Sequence, residues 1–205
     1  MQPDKQPTIV FDFGGVLMDW DPRYLFKDMF NDNEIEMEYF LQVVCSQEWN
    51  RNQDAGYPFA KAIEERIELY PAYKPYIQAY HDRWIEMISG PIPGTVEILT
   101  TLRKAGYHLC ALSNWSADTF PLVHERFEFL SWFDEVVISG SEKMIKPDPG
   151  IYKLLLSRIN REAHQCLFID DVEANILAAS HLGFQTIHFT SPGGLRDALG
   201  EMGLL

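Results

Sequence analysis

Short apolar segments rich in β-branched residues alternate along the chain with segments of helical period. Residues 8–12 form the first apolar run and predict a buried strand that ends at Asp12. A tight loop rich in glycine follows at once. Apolar side chains then recur at helical spacing over residues 95–104, and a second strand is predicted at residues 108–112. Each of these strands therefore delivers a polar residue to its carboxyl end.

The same alternation continues to the end of the chain. Strands are predicted at residues 135–138, 166–169 and 185–189, and helices at residues 149–159 and 174–182. Alternating short buried strands and helices predict the α/β class, here a doubly wound, Rossmann-like parallel sheet. In such sheets ligands bind beyond the carboxyl ends of the strands.

Residues 19–93 have a different composition and a different spacing of apolar positions. They are rich in Glu, Tyr and Trp, have apolar positions at spacing three and four, and give no convincing strand signal. We predict an inserted α-helical domain at residues 19–93 and a Rossmann-like core made of residues 1–18 and 94–205. The run Pro-Ile-Pro-Gly at residues 91–94 is the predicted return hinge, because proline and glycine end helices.

Composition and charge limit the classes of function that the protein can have. Hydrophobic residues make up 46% and charged residues 23% of 205, as in an ordinary globular protein. The formal net charge is −13 without any cluster of lysine or arginine, so we expect no nucleic-acid partner. The polar residues 1–8 lack the pattern of a secretory signal, and no apolar run is long enough to span a bilayer. We therefore expect no membrane association and a cytoplasmic location.

The three separated cysteines are predicted to be reduced core thiols: Cys45, Cys110 and Cys166.

Four polar clusters lie at or after the ends of the predicted strands, and their order resembles the four motifs of a known family. The stretch VFDFGGVL at residues 10–17 resembles the first motif of the haloacid-dehalogenase superfamily, and LSN at residues 112–114 the second. KP at residues 146–147 resembles the third, and FIDDVEAN at residues 168–175 the fourth. The resemblance covers residues 8 to about 190, and the insertion is similar to the helical cap of that superfamily.

The resemblance implies a Mg²⁺-dependent phosphomonoester hydrolase of the HAD phosphatase type, acting on a small phosphorylated metabolite. Asp12 would attack phosphorus and form an aspartyl-phosphate. Carboxylates gathered around a phosphate repel one another unless a hard cation lies between them, and Mg²⁺ prefers oxygen ligands. The expected ligands are Asp12, the carbonyl oxygen of Gly14, and Asp171, with Asp170 acting through water.

The phosphate would be held by donors and by one positive charge. Ser113 and Asn114 are predicted to donate hydrogen bonds to it, and Lys146 to neutralise both phosphate and nucleophile. Ser113 and Lys146 are therefore counted with Asp12 as catalytic residues. Backbone amides in the loop from Phe13 through Gly14 to Gly15 would add further donors, because glycine lets the main chain approach a ligand closely.

One position departs from the family pattern. Most phosphatases of the superfamily carry a general acid/base aspartate two residues after the nucleophile, and here that position is Gly14. Asp19 or Asp21 could substitute, although both are equally consistent with capping a helix that starts near Pro22. A subset with a similar departure includes phosphatases of anomeric sugar phosphates, whose leaving groups are comparatively acidic. A sugar 1-phosphate is therefore the first candidate substrate.

Two alternatives remain open. A 2-haloacid dehalogenase also lacks the second aspartate, but Gly14 stands where those enzymes have an aromatic residue, and Asp170-Asp171 replace their neutral serine pair. A catalytically silent relative that binds a phosphorylated ligand or a protein is the other. The sequence leaves the oligomeric state open.

Specificity is expected to come from the insertion. Residues 49–56 form a polar, glycine-ended segment that is predicted to be a break between helices and to contact the leaving group. Within it we single out Trp49, Gln53 and Asp54. The competing interpretation is that Trp49 packs in the core of the insertion and that the others face solvent.

Overall fold

A five-stranded parallel sheet forms the centre of the protein in the computed structural model, which describes residues 6–205. The strands of these residues are β1 (Thr8–Phe11), β2 (Met18–Trp20), β3 (Ile88–Pro91), β4 (Leu109–Ser113), β5 (Glu135–Ile138), β6 (Cys166–Asp170) and β7 (Gln185–His188). The order in the central sheet is β5-β4-β1-β6-β7, so β1 lies in the middle. The polar N-terminal start noted in the sequence falls largely on residues 1–5, outside the described residues.

Eleven α-helices of the described residues surround the sheet or make up the insertion. They are α1 (Arg23–Met29), α2 (Glu34–Tyr39), α3 (Gln47–Asp54), α4 (Phe59–Leu69), α5 (Lys74–Asp82), α6 (Pro93–Lys104), α7 (Phe120–His124), α8 (Ser139–Glu142), α9 (Pro149–Ile159), α10 (Glu173–His181) and α11 (Pro192–Glu201). A π-helical turn spans Phe40–Val44, and 3₁₀ turns span Pro71–Tyr73, Trp84–Met87, Glu128–Trp132 and Ala163–Gln165. In residues 6–205 no helix combines the length and the apolar character that crossing a membrane requires.

Both faces of the central sheet are covered, as its sequence pattern predicts. Ile9 and Phe11 of β1 belong to one buried cluster, together with side chains from α6 and α11. Val10 points to the opposite cluster, which includes side chains from α9 and α10. Strands buried on both faces appear as continuous apolar runs, which is why the central strands were recognisable. The predicted doubly wound α/β fold is confirmed, and the three cysteines are buried and free.

A small antiparallel ribbon at the base of the insertion was missed. β2 pairs with β3, with Met18 opposite Pro91 and Trp20 opposite Ile88. The expectation of no strand in residues 19–93 is therefore wrong at both ends of that range. These strands have three and four residues, too few to show a period of two, and their partner lies far away in the sequence. The ribbon joins the helical insertion to the sheet close to the end of β1.

Candidate active site

Asp12 follows the central strand directly and is held by the segment around it. Its backbone amide donates to the carbonyl of Ile169 on β6 at 2.9 Å. Its carboxylate oxygen Oδ1 accepts the backbone N–H of Phe13 at 2.7 Å and the hydroxyl of Ser113 at 2.6 Å. Two donors from two neighbouring strand ends therefore fix one oxygen of a buried carboxylate.

Lys146 reaches the other oxygen of that carboxylate. Its ammonium lies 2.9 Å from Asp12 Oδ2 and 2.6 Å from Asp170 Oδ2, and its side chain is completely buried. Burial by itself lowers the pKa of a lysine, but the carboxylates of Asp12 and Asp170 outweigh it and raise the pKa of Lys146. The ammonium is thus charged and placed between two carboxylates.

Asn114 contacts the backbone of Lys146 at both ends of its side-chain amide. Its side-chain Nδ2 donates to the carbonyl of Lys146 at 3.0 Å, and its Oδ1 accepts the Lys146 backbone N–H at 2.8 Å. Both ends of the amide are used on the backbone of Lys146, and one N–H of the amide nitrogen is left over. Asn114 therefore positions the backbone that carries the lysine.

Asp170 is the most enclosed carboxylate of the cluster. Besides Lys146, it accepts the side-chain amide of Asn175 at 3.0 Å and the backbone N–H of Val172 at 2.8 Å, and it is fully buried. These bonds occupy both of its oxygens. Asp170 therefore holds Lys146 in place, and its role towards a cation stays a prediction.

Asp171 faces the glycine loop from the other side. A Cβ atom on Gly15 would collide with its carboxylate, and Gly15 has a φ of +72°, which side chains other than glycine rarely adopt. Oxygens of Asp12, Asp170 and Asp171 all lie within 4.8 Å of one another. The absence of a side chain at Gly15 allows Asp171 to approach the nucleophile.

Burial and the nearby carboxylate of Asp170 make ionisation of Asp12 and Asp171 less favourable. Burial raises the pKa of Asp12 to about 7; Lys146 opposes this shift, and Asp170 adds to it. Burial also raises the pKa of Asp171, and the neighbouring Asp170 raises it further. Three carboxylates and one ammonium would together carry a net charge of minus two, which a divalent cation would neutralise.

Two backbone amides of the glycine loop have acceptors within the protein. The amide of Phe13 donates to Asp12, and that of Gly15 donates to the carbonyl of Met18 at 2.9 Å. Met18 in turn donates to the carbonyl of Phe13 at 2.8 Å, and neither loop-closing bond uses the Gly14 carbonyl. The amides of Phe13 and Gly15 thus hold the loop in shape, and their contact with phosphate stays a prediction.

Asp19 and Asp21 are engaged away from the cluster. Asp19 accepts the hydroxyl of Tyr24 at 2.8 Å. Asp21 accepts the backbone N–H of Arg23 at the start of α1 at 2.9 Å, and it also contacts the guanidinium of that arginine at 3.2 Å. Asp21 therefore has the helix-capping contact that was the competing interpretation, and neither residue contacts Asp12.

The predicted specificity segment is helical rather than a break. α3 begins after Ser46, whose hydroxyl accepts the amide of Trp49, and it continues to Asp54. Trp49 is buried against Phe59 and Tyr80, so it packs in the core of the insertion. The helix was missed because its polar residues hide the apolar period.

The three side chains singled out in this segment have different surroundings. Gln53 is buried, finds no hydrogen-bond partner in residues 6–205, and lines a cavity of about 520 Å³ together with Trp49 and Arg66. Asp12 and Ser113 are not among the residues that line this cavity. Asp54 is half-buried at the end of α3, where burial raises its pKa to about 7 against the lowering effect of the Ser116 amide, and Asp12 raises it further.

The comparison with known proteins decides the family. The haloacid dehalogenase-like hydrolases match residues 7–183, most of the chain. The chain belongs to this family. Among curated proteins, this haloacid dehalogenase-like hydrolase is 25% identical to a sesquiterpene phosphatase of Aspergillus oryzae over 187 residues, 88% of either chain. Some other curated relatives are much longer proteins, and in one of them the match covers only 10% of the relative's length.

Solved structures of the family share the fold. One is a HAD family enzyme from Bacteroides thetaiotaomicron in complex with magnesium and inorganic phosphate, with a TM-score of 0.69 and 23% identity, covering 91% of this chain and 95% of that one. Another is an L-2-haloacid dehalogenase, with a TM-score of 0.66 and 19% identity, covering 89% and 85%. At these identities the likeness establishes the fold and not the reaction.

Proposed function

We propose that this haloacid dehalogenase-like hydrolase is a Mg²⁺-dependent phosphomonoesterase that uses Asp12 as its nucleophile. The observation that carries the proposal is the position of Asp12. Its carboxylate lies between the hydroxyl of Ser113 and the ammonium of Lys146, and oxygens of two further aspartates lie within 4.8 Å. The proposed nucleophile, a fixed positive charge and the proposed cation ligands thus share the carboxyl edge of the sheet.

The donor set suits a hard divalent cation. Mg²⁺ prefers a few carboxylate or carbonyl oxygens together with water and substrate oxygens. Asp12, the Gly14 carbonyl and Asp171 would hold it directly, and Asp170 would do so through water. When bound, the cation would neutralise the carboxylates and the phosphate oxygens, which lowers their mutual repulsion.

The chain's own residues would then share the phosphoryl step. Asp12 attacks phosphorus in line, and the leaving group departs as an aspartyl-phosphate forms. Lys146 holds the nucleophile and offsets negative charge that develops on the phosphoryl oxygens. The Ser113 hydroxyl orients Asp12 and is within reach of a bound phosphate oxygen, while Asn114 keeps Lys146 in place. Water later attacks phosphorus and frees Asp12.

Dehalogenation is the second candidate, and family resemblance to solved dehalogenases is what favours it. The acidic pair Asp170-Asp171 counts against it. A reaction that displaces halide with a single carboxylate gains nothing from a second carboxylate, that of Asp170, that raises the pKa of its nucleophile. Phosphoryl transfer, in contrast, uses a cation that such a cluster can hold.

The third alternative, a silent binding protein, is disfavoured by the retention of Asp12, Lys146 and Asp171 together.

The substrate class that we propose is a small phosphorylated metabolite. The name of the fungal relative, a sesquiterpene phosphatase, supports action on small organic phosphates. A sugar 1-phosphate remains the first candidate, because an anomeric oxygen is a comparatively acidic leaving group and needs less help from a proton donor at position 14.

We also propose that residues 19–93 act as a cap on a core of residues 1–18 and 94–205. The β2–β3 ribbon supports this division, since it joins the helices of the insertion to the sheet beside the nucleophile. Closure over the site would exclude water from the phosphoryl step.

A phosphate-release assay tests the proposed function. Purified protein is incubated with sugar 1-phosphates, sugar 6-phosphates, terpenyl phosphates and a chromogenic aryl phosphate, with Mg²⁺ or with chelator. We expect Mg²⁺-dependent release that Asp12→Asn abolishes and that Asp148→Asn, at the exposed start of α9, retains. Halide release from 2-haloacids without phosphate release would favour the dehalogenase. Absence of both activities would favour the binding protein.

A further inference from the structure

The proposed reaction needs a proton donor for most leaving groups, and the position that normally supplies it is Gly14. Asp19 and Asp21, the nearest acidic residues in sequence, are bound to Tyr24 and Arg23. The following inference rests on the proposed function and asks which group of this chain does the proton transfer.

The end of α3 is bound to Ser139 at the start of α8, and Ser139 is in turn bound to the loop that leaves β4. The hydroxyl of Ser139 donates to the backbone carbonyl of Asp54 at 2.5 Å and accepts the backbone N–H of Trp115 at 2.9 Å. Trp115 comes two residues after Ser113, whose hydroxyl is bonded to Asp12. Asp54 therefore lies at the carboxyl edge of the sheet, the edge that also carries the nucleophile.

Close backbone packing fixes this junction. A side chain on Gly56 would meet the carbonyl of Gly140 at 2.8 Å, so the loop after α3 lies directly against α8. The amide of Phe59 donates to the carboxylate of Asp118 at 3.1 Å, which attaches the start of α4 to the same core loop. Both contacts come just after Asp54 in the sequence, so they hold the end of α3 against the core.

The environment of Asp54 suits proton transfer. Its carboxylate accepts the side-chain amide of Asn50 at 3.1 Å, and no lysine, arginine or histidine lies within 4.0 Å of it among the described residues. Burial raises its pKa to about 7, so it can both donate and accept a proton near neutral pH.

The neighbouring charges are otherwise occupied. Asp118 accepts the amide of Phe59, and Glu142 on α8 is paired with Arg158 at 2.8 Å. Lys143 packs its side chain against Gly56. Among the described residues, Asp12 is the charged group whose field raises the pKa of Asp54.

We propose that Asp54 is the general acid and base of this enzyme, supplied by the insertion in place of a residue at position 14. As Asp12 attacks phosphorus, the bond from phosphorus to the leaving oxygen breaks, and that oxygen takes the proton of Asp54. Water then attacks phosphorus and gives its proton to Asp54, the bond between phosphorus and Asp12 breaks, and Asp12 regains its carboxylate. The only co-reactant is water, and Asp54 ends the cycle protonated.

The test uses leaving groups of different acidity. Asp54→Asn and Asp54→Glu are compared with wild type on a series from dinitrophenyl phosphate to alkyl phosphates, all with Mg²⁺. Asp54→Asn should lose about 10²- to 10⁴-fold in kcat/KM on alkyl phosphates and less than about tenfold on dinitrophenyl phosphate, which needs no proton. Asp54→Glu should recover part of the alkyl activity. With dinitrophenyl phosphate, Asp54→Asn should show a burst of phenol, because hydrolysis of the aspartyl-phosphate lacks its base.

Asp118→Asn is the control for damage to the junction, and it should leave the dependence on leaving-group acidity as in wild type. An equal loss on all substrates in Asp54→Asn, or no loss, would overturn the assignment of Asp54. Failure of the proposed function is a separate result, namely wild-type protein that releases no phosphate or an Asp12→Asn variant that still releases it.

Discussion

The side-chain amide of Asn114 is hydrogen-bonded at both ends to the backbone of Lys146, through its nitrogen at 3.0 Å and its oxygen at 2.8 Å. These two bonds join the end of β4 to the segment that carries the buried ammonium. The position of the positive charge beside Asp12 therefore depends on a residue that need not touch substrate through its side chain.

Replacement of Asn114 should misplace Lys146. Asn114→Ala is expected to lower the free energy of unfolding by about 1–3 kcal/mol, because two backbone groups lose their partner. It should also lower kcat by about 10- to 100-fold, since small displacements of catalytic groups are costly. Urea unfolding and steady-state kinetics measure both effects. Asn52→Ala, at an exposed position of α3, is the control, and an unchanged kcat in Asn114→Ala would contradict the positioning role.

Removal of the ammonium should make stability strongly dependent on pH. In metal-free Lys146→Met, Asp12 and Asp170 face each other without compensation, so the pKa of Asp12 rises further. The loss of stability at pH 8 should reach about 3–5 kcal/mol, as for other broken buried ion pairs. At pH 5 a proton on Asp12 relieves the repulsion, and the loss should be smaller. An equal loss at both pH values would contradict this account; Lys153→Met, exposed on α9, is the control.

Two adjacent glycines offer a matched pair of substitutions. Gly15→Ala forces a side chain into a φ of +72° and against the carboxylate of Asp171. The strain alone costs about 1–2 kcal/mol, and displacement of Asp171 should weaken Mg²⁺ binding. Gly14→Ala meets no atom within 4 Å, so its effect on the Mg²⁺ dissociation constant, measured by calorimetry, should be smaller. The reverse order would show that Asp171 is not a ligand.

Asp54 should destabilise the folded protein above neutral pH. Its pKa is about 7 in the fold and about 4 in an unfolded chain, so the folded state holds the proton more tightly. Its contribution to stability therefore falls as pH rises from about 4 to 7. Asp54→Asn lacks this penalty and should gain about 2 kcal/mol more stability over wild type at pH 8 than at pH 5. A pH-independent difference would mean that Asp54 ionises normally.

The central sheet could be predicted because its strands are short, buried on both faces and separated by helices of clear period. Each of the five predicted strands agrees with the structure to within one residue, since apolar runs report burial directly. The β2–β3 ribbon could not be predicted in this way. Its pairing depends on contacts between residues 18–20 and 88–91, and short strands carry no local signal of that partner.

The site was predicted in part for the same reason. Asp12, Ser113 and the pair Asp170-Asp171 end or follow buried strands, so their convergence follows from topology. The position of Asp54 does not, because it depends on how α3 of the insertion meets the loop after β4. The bonds of Asn114 to Lys146 likewise depend on a crossing of two loops, and no periodic pattern encodes such a contact.

Covalent chemistry at Asp12 is the central claim, and a single turnover in water labelled with heavy oxygen tests it most directly. Enzyme in excess is mixed with substrate and Mg²⁺, quenched in acid at intervals, and analysed by mass spectrometry of the peptide that contains Asp12. We predict a transient peptide heavier by one phosphoryl group, followed by labelled phosphate and an unlabelled Asp12, because water attacks phosphorus. Label in the Asp12 carboxylate would mean that water attacks carbon, as in an alkyl ester intermediate, and product formation without any adduct on Asp12 would contradict the nucleophile itself.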